Sequence, residues 1–221
     1  MAVSPIRVIR PFHFVGSGRA LRVGVTGGIG AGKTTVTSTL ARLGAAVVSA
    51  DDLVRDLQGP GGGAVDPIRQ RFGDGVVTPD GDIDRKALAS IVFGDAAARE
   101  DLEHIVHPLV AERAIEFLTE AGPGQIAVYD VPLLIETHVD DYCDAIVVVW
   151  ADVPTRLQRL RRDRGMSEAQ AMARIEAQVS DAARERVAHV VIDNTVDPAR
   201  VEEAVEAELW PALLAATGVG S

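Results

Sequence analysis

Apolar positions along the chain alternate between two patterns. Short runs at 21–26, 45–52, 125–130, 145–150 and 189–194 predict five strands, of which those at 45–52, 125–130 and 189–194 end in polar residues. The unbroken run AIVVVW (145–150) reads as a central strand of a parallel sheet, buried on both faces. Between these runs the spacing lengthens to the helical three-and-four pattern. A helix opens at Lys33 and Thr34 with Val36 and Leu40 on its apolar face, and LVRDL forms another after residue 52. GPGGG (59–63) marks a turn and hinge, AVDPIRQRF is helical, and GDGVVTPDGDIDR is a turn-rich loop capping a helix from Arg85. Helical periodicity from Asp95 to Leu118 meets Pro108, which predicts a break at His107-Pro108. Later come an arginine-bearing helix, a second helix at 166–178 with Ser167 as N-cap, and a last helix from Pro198 to about Ala216 that packs Val201, Val205 and Leu209.

With 221 residues, 47% hydrophobic content and a mean hydropathy of +0.14, the chain can build one sizeable core. The expected organisation is a single domain over 21–217, with a helical insertion at about 59–122 and a helical lid at about 154–186. A net charge of −10 argues against a nucleic-acid partner or an anionic membrane surface. Cys143 is the single cysteine, so no internal disulfide or cysteine metal cluster is possible, and a buried filler is the expected role. With no cleavable apolar segment, this points to the cytoplasm. Residues 1–20 carry three arginines and no acid, which predicts a disordered extension, with a transit peptide as the alternative. No obligate protein partner is evident.

The spacing Gly27-x-x-x-x-Gly32-Lys33-Thr34, with a strand before it and a helix after it, fits a phosphate-binding loop. Wrapping a phosphate in backbone N–H groups demands close approach and positive φ, which suits Gly28, Gly30 and Gly32, with Ala31 and Thr35 in the same turn. The helix end adds free N–H groups and a positive dipole. Lys33 would bridge the β- and γ-phosphates of ATP, and the Thr34 hydroxyl would ligate Mg²⁺. A dinucleotide fingerprint fails because Lys33 stands where glycine is needed.

The carboxyl ends of parallel strands face the ligand crevice, so polar residues there are candidates. Asp51 and Asp52 are each either a carboxylate that takes a proton or holds Mg²⁺, or a helix N-cap. Asp130 ends an apolar strand and is a candidate metal ligand. Asn194 offers an amide to an adenine edge or simply makes a turn. His107 is a helix-end residue or part of an acceptor site. Five arginines lie between 156 and 164; Arg156 and Arg159 share a helical face, and a lid carrying them would meet phosphate and exclude water.

VTGGIGAGKTT, SADDLVR, HPLV (107–110), DVPLLIE (130–136), RIEAQ (174–178) and VIDN (191–194) together resemble the bacterial dephospho-CoA kinases over about residues 21–210. The resemblance implies an α/β, three-layer, doubly wound five-stranded parallel sheet of P-loop kinase type, with helical acceptor-binding and lid insertions. It implies phosphorylation of the 3′-hydroxyl of dephospho-CoA by ATP. By position it implies that Lys33 and Thr34 bind ATP and Mg²⁺, that Asp51 is the general base, and that Arg159 reaches the phosphates from the lid. His107, Pro132, Glu136 and Gln178 match further motif positions on the acceptor side. Many relatives carry Asp where this chain has Ser49, so an active enzyme here would have to work without that carboxylate. The competing readings are a nucleoside monophosphate or small-metabolite kinase, and a nucleotide-binding switch. With lysine only at 33 and 86, the chain has no Asn-Lys-x-Asp guanine motif.

Overall fold

A computed structural model describes residues 3–12, 14 and 18–218. The strands are β1 (Ile6–Val8), β2 (Leu21–Thr26), β3 (Ala46–Ser49), β4 (Ile126–Asp130), β5 (Ala145–Trp150) and β6 (Val190–Asp193), in the sheet order β1-β6-β5-β2-β4-β3. β2 runs parallel to β4 and β5, and β5 parallel to β6. All five expected strands are present, and β1 adds a sixth. It pairs antiparallel with β6, Ile6 opposite Ile192 and Val8 opposite Val190. The expectation of a disordered extension is therefore corrected for its described part; residues 1, 2, 13 and 15–17 lie outside the described residues.

The pleat divides each strand between two buried faces. One carries Val23, Val25, Val128, Val147 and Ile192 against Val36 and Leu40 of α1 (Lys33–Arg42) and against Val201, Val205, Leu209 and Leu213 near the C-terminus. The other carries Ala127, Tyr129, Ile146 and Val148, also buried. There Gly24 lies so close to Leu134 and Cys143 that a Cβ would sit 2.9 Å from Leu134 Cδ2 and 3.0 Å from the Cys143 sulfur. A sheet with both faces covered explains why its strands read as apolar runs without alternation.

The chain divides into two compact units, Met1–Val48 with Phe117–Ser221, and Ser49–Glu116. The second unit contains α2 (Ala50–Leu57), α3 (Val65–Phe72), α4 (Arg85–Val92) and most of α5 (Ala96–Glu120). It starts earlier than the expected insertion because α2 belongs to it. Leu53 and Leu57 are buried, and the carbonyls of Leu57 and Gln58 accept hydrogen bonds from the N–H groups of Ala64 (3.0 Å) and Ile83 (2.8 Å). Asp84 caps α4 as the turn chemistry requires. The break expected at His107-Pro108 does not occur: α5 runs through Pro108 as one helix. Pro108 forfeits one backbone hydrogen bond, but Val106, Val110, Ala114 and Leu118 form a buried stripe at four-residue spacing that only a continuous helix maintains.

In the first unit α6 (Val153–Arg164) starts at an Asp152 cap and ends at Gly165, whose φ of 61° is left-handed. α7 (Glu168–Glu176) begins with a full capping box between Ser167 and Gln170, as the sequence predicts for Ser167. α8 (Asp181–Val187) packs on β5, and α9 (Pro198–Ala204) continues through a π-helical turn into α10 (Trp210–Ala216).

Candidate active site

β2 ends at Thr26 and the chain turns through Gly27 to Gly32 before α1 begins. Gly32 has a φ of 88°, and a Cβ there would overlap the Asn194 amide. Gly28 leaves the space that the Arg156 guanidinium fills. Within the loop the Ala31 N–H donates to the Gly28 carbonyl (2.9 Å) and the Thr35 N–H to that of Gly32 (3.2 Å). The N–H groups of Gly28, Gly30, Gly32 and Thr34 have no hydrogen-bond partner among the described residues. Several convergent unpaired donors at a helix start make a cradle for an anion.

Side chains hold this loop from outside. Asn194 is 1% exposed, and its Nδ2 donates to the carbonyls of Ala31 (2.6 Å) and Gly32 (3.3 Å). That corrects the adenine-edge expectation: the amide donor is committed to the loop. Arg159 donates from Nη1 to the Ala31 carbonyl (3.1 Å) and from Nη2 to that of Asn194 (2.7 Å). Arg156 donates from Nε to the Ile29 carbonyl (2.9 Å), and Gln178 Oε1 accepts the Ile29 N–H (2.8 Å). Both arginines of the shared α6 face thus reach the loop backbone. Arg156 is buried, and its guanidinium pairs with Asp181 (3.5 Å), which also pairs with the buried Arg184 (3.0 Å). Burial lowers the Arg156 pKa, partly offset by Asp181. Asp181 and Arg184 escaped sequence reading; a seven-residue helix has too little periodicity to announce a buried charge.

Lys33 Nζ stands 3.8 Å from Asp130 Oδ1, and the Thr37 hydroxyl donates to Asp130 Oδ2 at 3.2 Å. Thr34 is exposed, and its hydroxyl has no partner among the described residues. An exposed hydroxyl at the start of the helix is an oxygen donor of the kind a hard divalent cation takes, so Thr34 fits Mg²⁺. Among the described residues no cluster of three or more His, Cys, Asp or Glu could hold a metal by itself. In the same unit Pro132 follows β4, its carbonyl accepting the Thr26 hydroxyl at 3.3 Å, and Glu136 is exposed.

The second unit holds Asp51 and His107. The N-cap of α2 is Ser49, whose hydroxyl oxygen accepts the Asp52 N–H, so neither aspartate is the cap. Asp52 is engaged: it accepts from the Ser49 hydroxyl (2.6 Å) and from Arg55 (2.5 Å), and these bonds hold it below the usual carboxylate range. Asp51 is exposed and makes no hydrogen bond or ion pair among the described residues. His107 is half-buried within α5.

The profile of the dephospho-CoA kinase family matches residues 21–199. The chain belongs to the dephospho-CoA kinase family. It is 45% identical to the dephospho-CoA kinase of Thermobifida fusca over 193 residues, covering 87% of this chain and 96% of that protein. To the dephospho-CoA kinase of Leifsonia xyli it is 49% identical over 174 residues, covering 77% and 88% respectively. The fold matches that of the dephospho-CoA kinase from Campylobacter jejuni with a TM-score of 0.63 at 21% identity, over 86% of this chain and 96% of the other. The family match begins at the first residue of β2, so β1 lies outside it.

Proposed function

We propose that this chain transfers the γ-phosphoryl group of ATP to the 3′-hydroxyl of dephospho-CoA, giving coenzyme A and ADP. The observation that carries the reading is the set of N–H groups of Gly28, Gly30, Gly32 and Thr34, which have no partner among the described residues, beside the Lys33 side chain in a chain of this family. Gly28, Gly30, Ala31, Gly32, Lys33, Thr34 and Thr35 form the donor half of the site. The backbone amides bind the phosphate oxygens, and Lys33 stabilises charge on the transferring group. Thr34 is the Mg²⁺ candidate of the loop and, by family position, Asp51 that of the second unit; when bound, the ion would neutralise developing charge on the transferring phosphate. Arg159 adds charge from α6 and Asn194 supports the loop beneath it.

On the acceptor side Asp51 takes the proton of the ribose hydroxyl as its oxygen bonds to the γ-phosphorus. The bond from that phosphorus to the β–γ bridging oxygen breaks, and ADP leaves. An exposed carboxylate with no internal partner is free to accept that proton. His107, Pro132, Glu136 and Gln178 are the remaining acceptor-side candidates by family position. No helix is long and apolar enough to cross a membrane among the described residues; a cytoplasmic location completes the reading.

The test is ADP release with ATP, Mg²⁺ and one acceptor at a time. Dephospho-CoA should support turnover, while AMP and shikimate should give little. Turnover with AMP and none with dephospho-CoA overturns the assignment; nucleotide binding without turnover of any acceptor makes the protein a switch instead.

A further inference from the structure

Ile29 sits at the apex of the phosphate loop between Gly28 and Gly30, which by themselves leave the backbone free to rotate. Both of its backbone polar groups are taken by side chains from outside the loop. Its N–H donates to Gln178 Oε1 at 2.8 Å, and its carbonyl accepts from Arg156 Nε at 2.9 Å. These two bonds fix different peptide planes, one on each side of the Ile29 Cα.

A trans peptide points its carbonyl and its N–H in opposite directions. When Arg156 draws the Ile29 carbonyl to its side, the Gly30 N–H in the same plane must point the other way. That N–H has no partner among the described residues and is one of the donors assigned above to phosphate. Likewise, Gln178 fixes the plane whose carbonyl, that of Gly28, accepts the Ala31 N–H at 2.9 Å. Arg156 is itself fixed: 3% exposed, lodged where Gly28 lacks a side chain, and tied to Asp181 at 3.5 Å, which Arg184 holds at 3.0 Å.

We infer that Gln178 and Arg156 are positioning residues that clamp the Ile29 backbone and thereby aim the Gly30 N–H at the donor nucleotide, with Asp181 and Arg184 holding Arg156 in place. This moves Gln178 from the acceptor side to the donor side. The clamp draws on α6 and on the link between α7 and α8, so the helices after β5 set the loop's geometry before any phosphate arrives. The inference rests on the ATP-binding half of the proposed function and not on the identity of the acceptor.

The experiment measures affinity for a non-hydrolysable ATP analogue, and steady-state kinetics with dephospho-CoA, for Gln178→Ala, Asp181→Asn and Arg156→Lys. Arg156→Lys keeps a cation but loses the Nε donor. Gln178→Ala and Arg156→Lys should each weaken analogue binding and raise KM for ATP about tenfold, with KM for dephospho-CoA within about twofold of the parent. The double variant should lose less than the product of the two single losses, because both bonds restrain one residue. Should Arg156→Lys not fold, Gln178→Ala and Asp181→Asn decide the question, since neither side chain is buried. A folded Gln178→Ala protein with parental analogue affinity overturns the inference, as does a rise confined to KM for dephospho-CoA. Failure to phosphorylate dephospho-CoA defeats the acceptor assignment while the analogue-binding comparison still decides the clamp.

Discussion

At the scale of single residues, adjacent carboxylates of one type have opposite situations. Asp52 accepts bonds from Ser49 and Arg55, whereas Asp51, in the same helical turn, makes none among the described residues. A general base needs a lone pair that no fixed donor occupies, and of the two only the Asp51 carboxylate makes no contact among the described residues. Asp51→Asn should therefore lower kcat by about 10² to 10⁴, the usual span for removing a general base, while leaving affinity for an ATP analogue largely unchanged. Thermal stability should stay within about 0.5 kcal/mol of the parent because the side chain is exposed and unengaged. Stopped-flow or coupled-assay turnover checks the first part and calorimetry the second; retained turnover removes Asp51 from the role. Asn194 shows the limit of residue-type reasoning. An amide suits an adenine edge and a loop carbonyl equally well, and only its burial against Ala31 and Gly32 assigns the donor.

Among the elements, those with long or unbroken patterns were legible and those fixed by distant partners were not. β2, β4, β5 and β6 follow from apolar runs, and the caps at Asp84 and Ser167 from their turn chemistry. At Pro108 a local steric rule predicts a break, and the stripe of burial from Val106 to Leu118 outweighs it. β1 left no signal: three residues with Arg7 in the middle are too short to show a period, and the strand exists because β6 offers an open edge. Its attachments are numerous. The N–H groups of Ile9 (2.8 Å) and Arg10 (3.2 Å) reach the His189 carbonyl, the Asp193 N–H reaches the Pro5 carbonyl (2.8 Å), Arg7 pairs with Glu185 (2.6 Å), and Ile6 and Phe12 pack on the core. The ion pair is exposed and contributes little. The apolar contacts and the covered edge matter more, so removing residues 1–12 should lower Tm by about 5–10 °C, equivalent to roughly 2–4 kcal/mol. An unchanged Tm by differential scanning calorimetry would show that β1 is dispensable to the sheet.

For the molecule as a whole, one thiol reports on the opening of the sheet. Cys143 is the single cysteine of 221 residues, so labelling has one site. Its Sγ donates to the Val139 carbonyl at 3.5 Å and lies against Gly24 on the buried face of β2. Burial, reinforced by Asp140 and Asp144, pushes the thiol up to about 12. At pH 8 the native thiol therefore ionises far less than a free thiol near 8.5, of which roughly a quarter is thiolate. The sign is set by a raised pKa: the protonated form is favoured on folding. Its contribution is therefore complete below the ordinary thiol range and is lost as pH climbs towards 12. Cys143 is half-buried with its Sγ against Gly24, so alkylation at pH 8 is expected to go fastest through conformations in which β2 has parted from the segment bearing Leu134 and Cys143. The phosphate loop is the direct continuation of β2, so a nucleotide that binds only the closed form suppresses that opening. At an ATP-analogue concentration one hundred times its Kd, closure gains about 2.7 kcal/mol and iodoacetamide labelling should slow about 100-fold. Mass spectrometry of the labelled chain over time reads the rate directly. Labelling that is fast at pH 8 and indifferent to nucleotide would mean that residues 131–143 lift from the sheet by themselves, uncoupled from the loop.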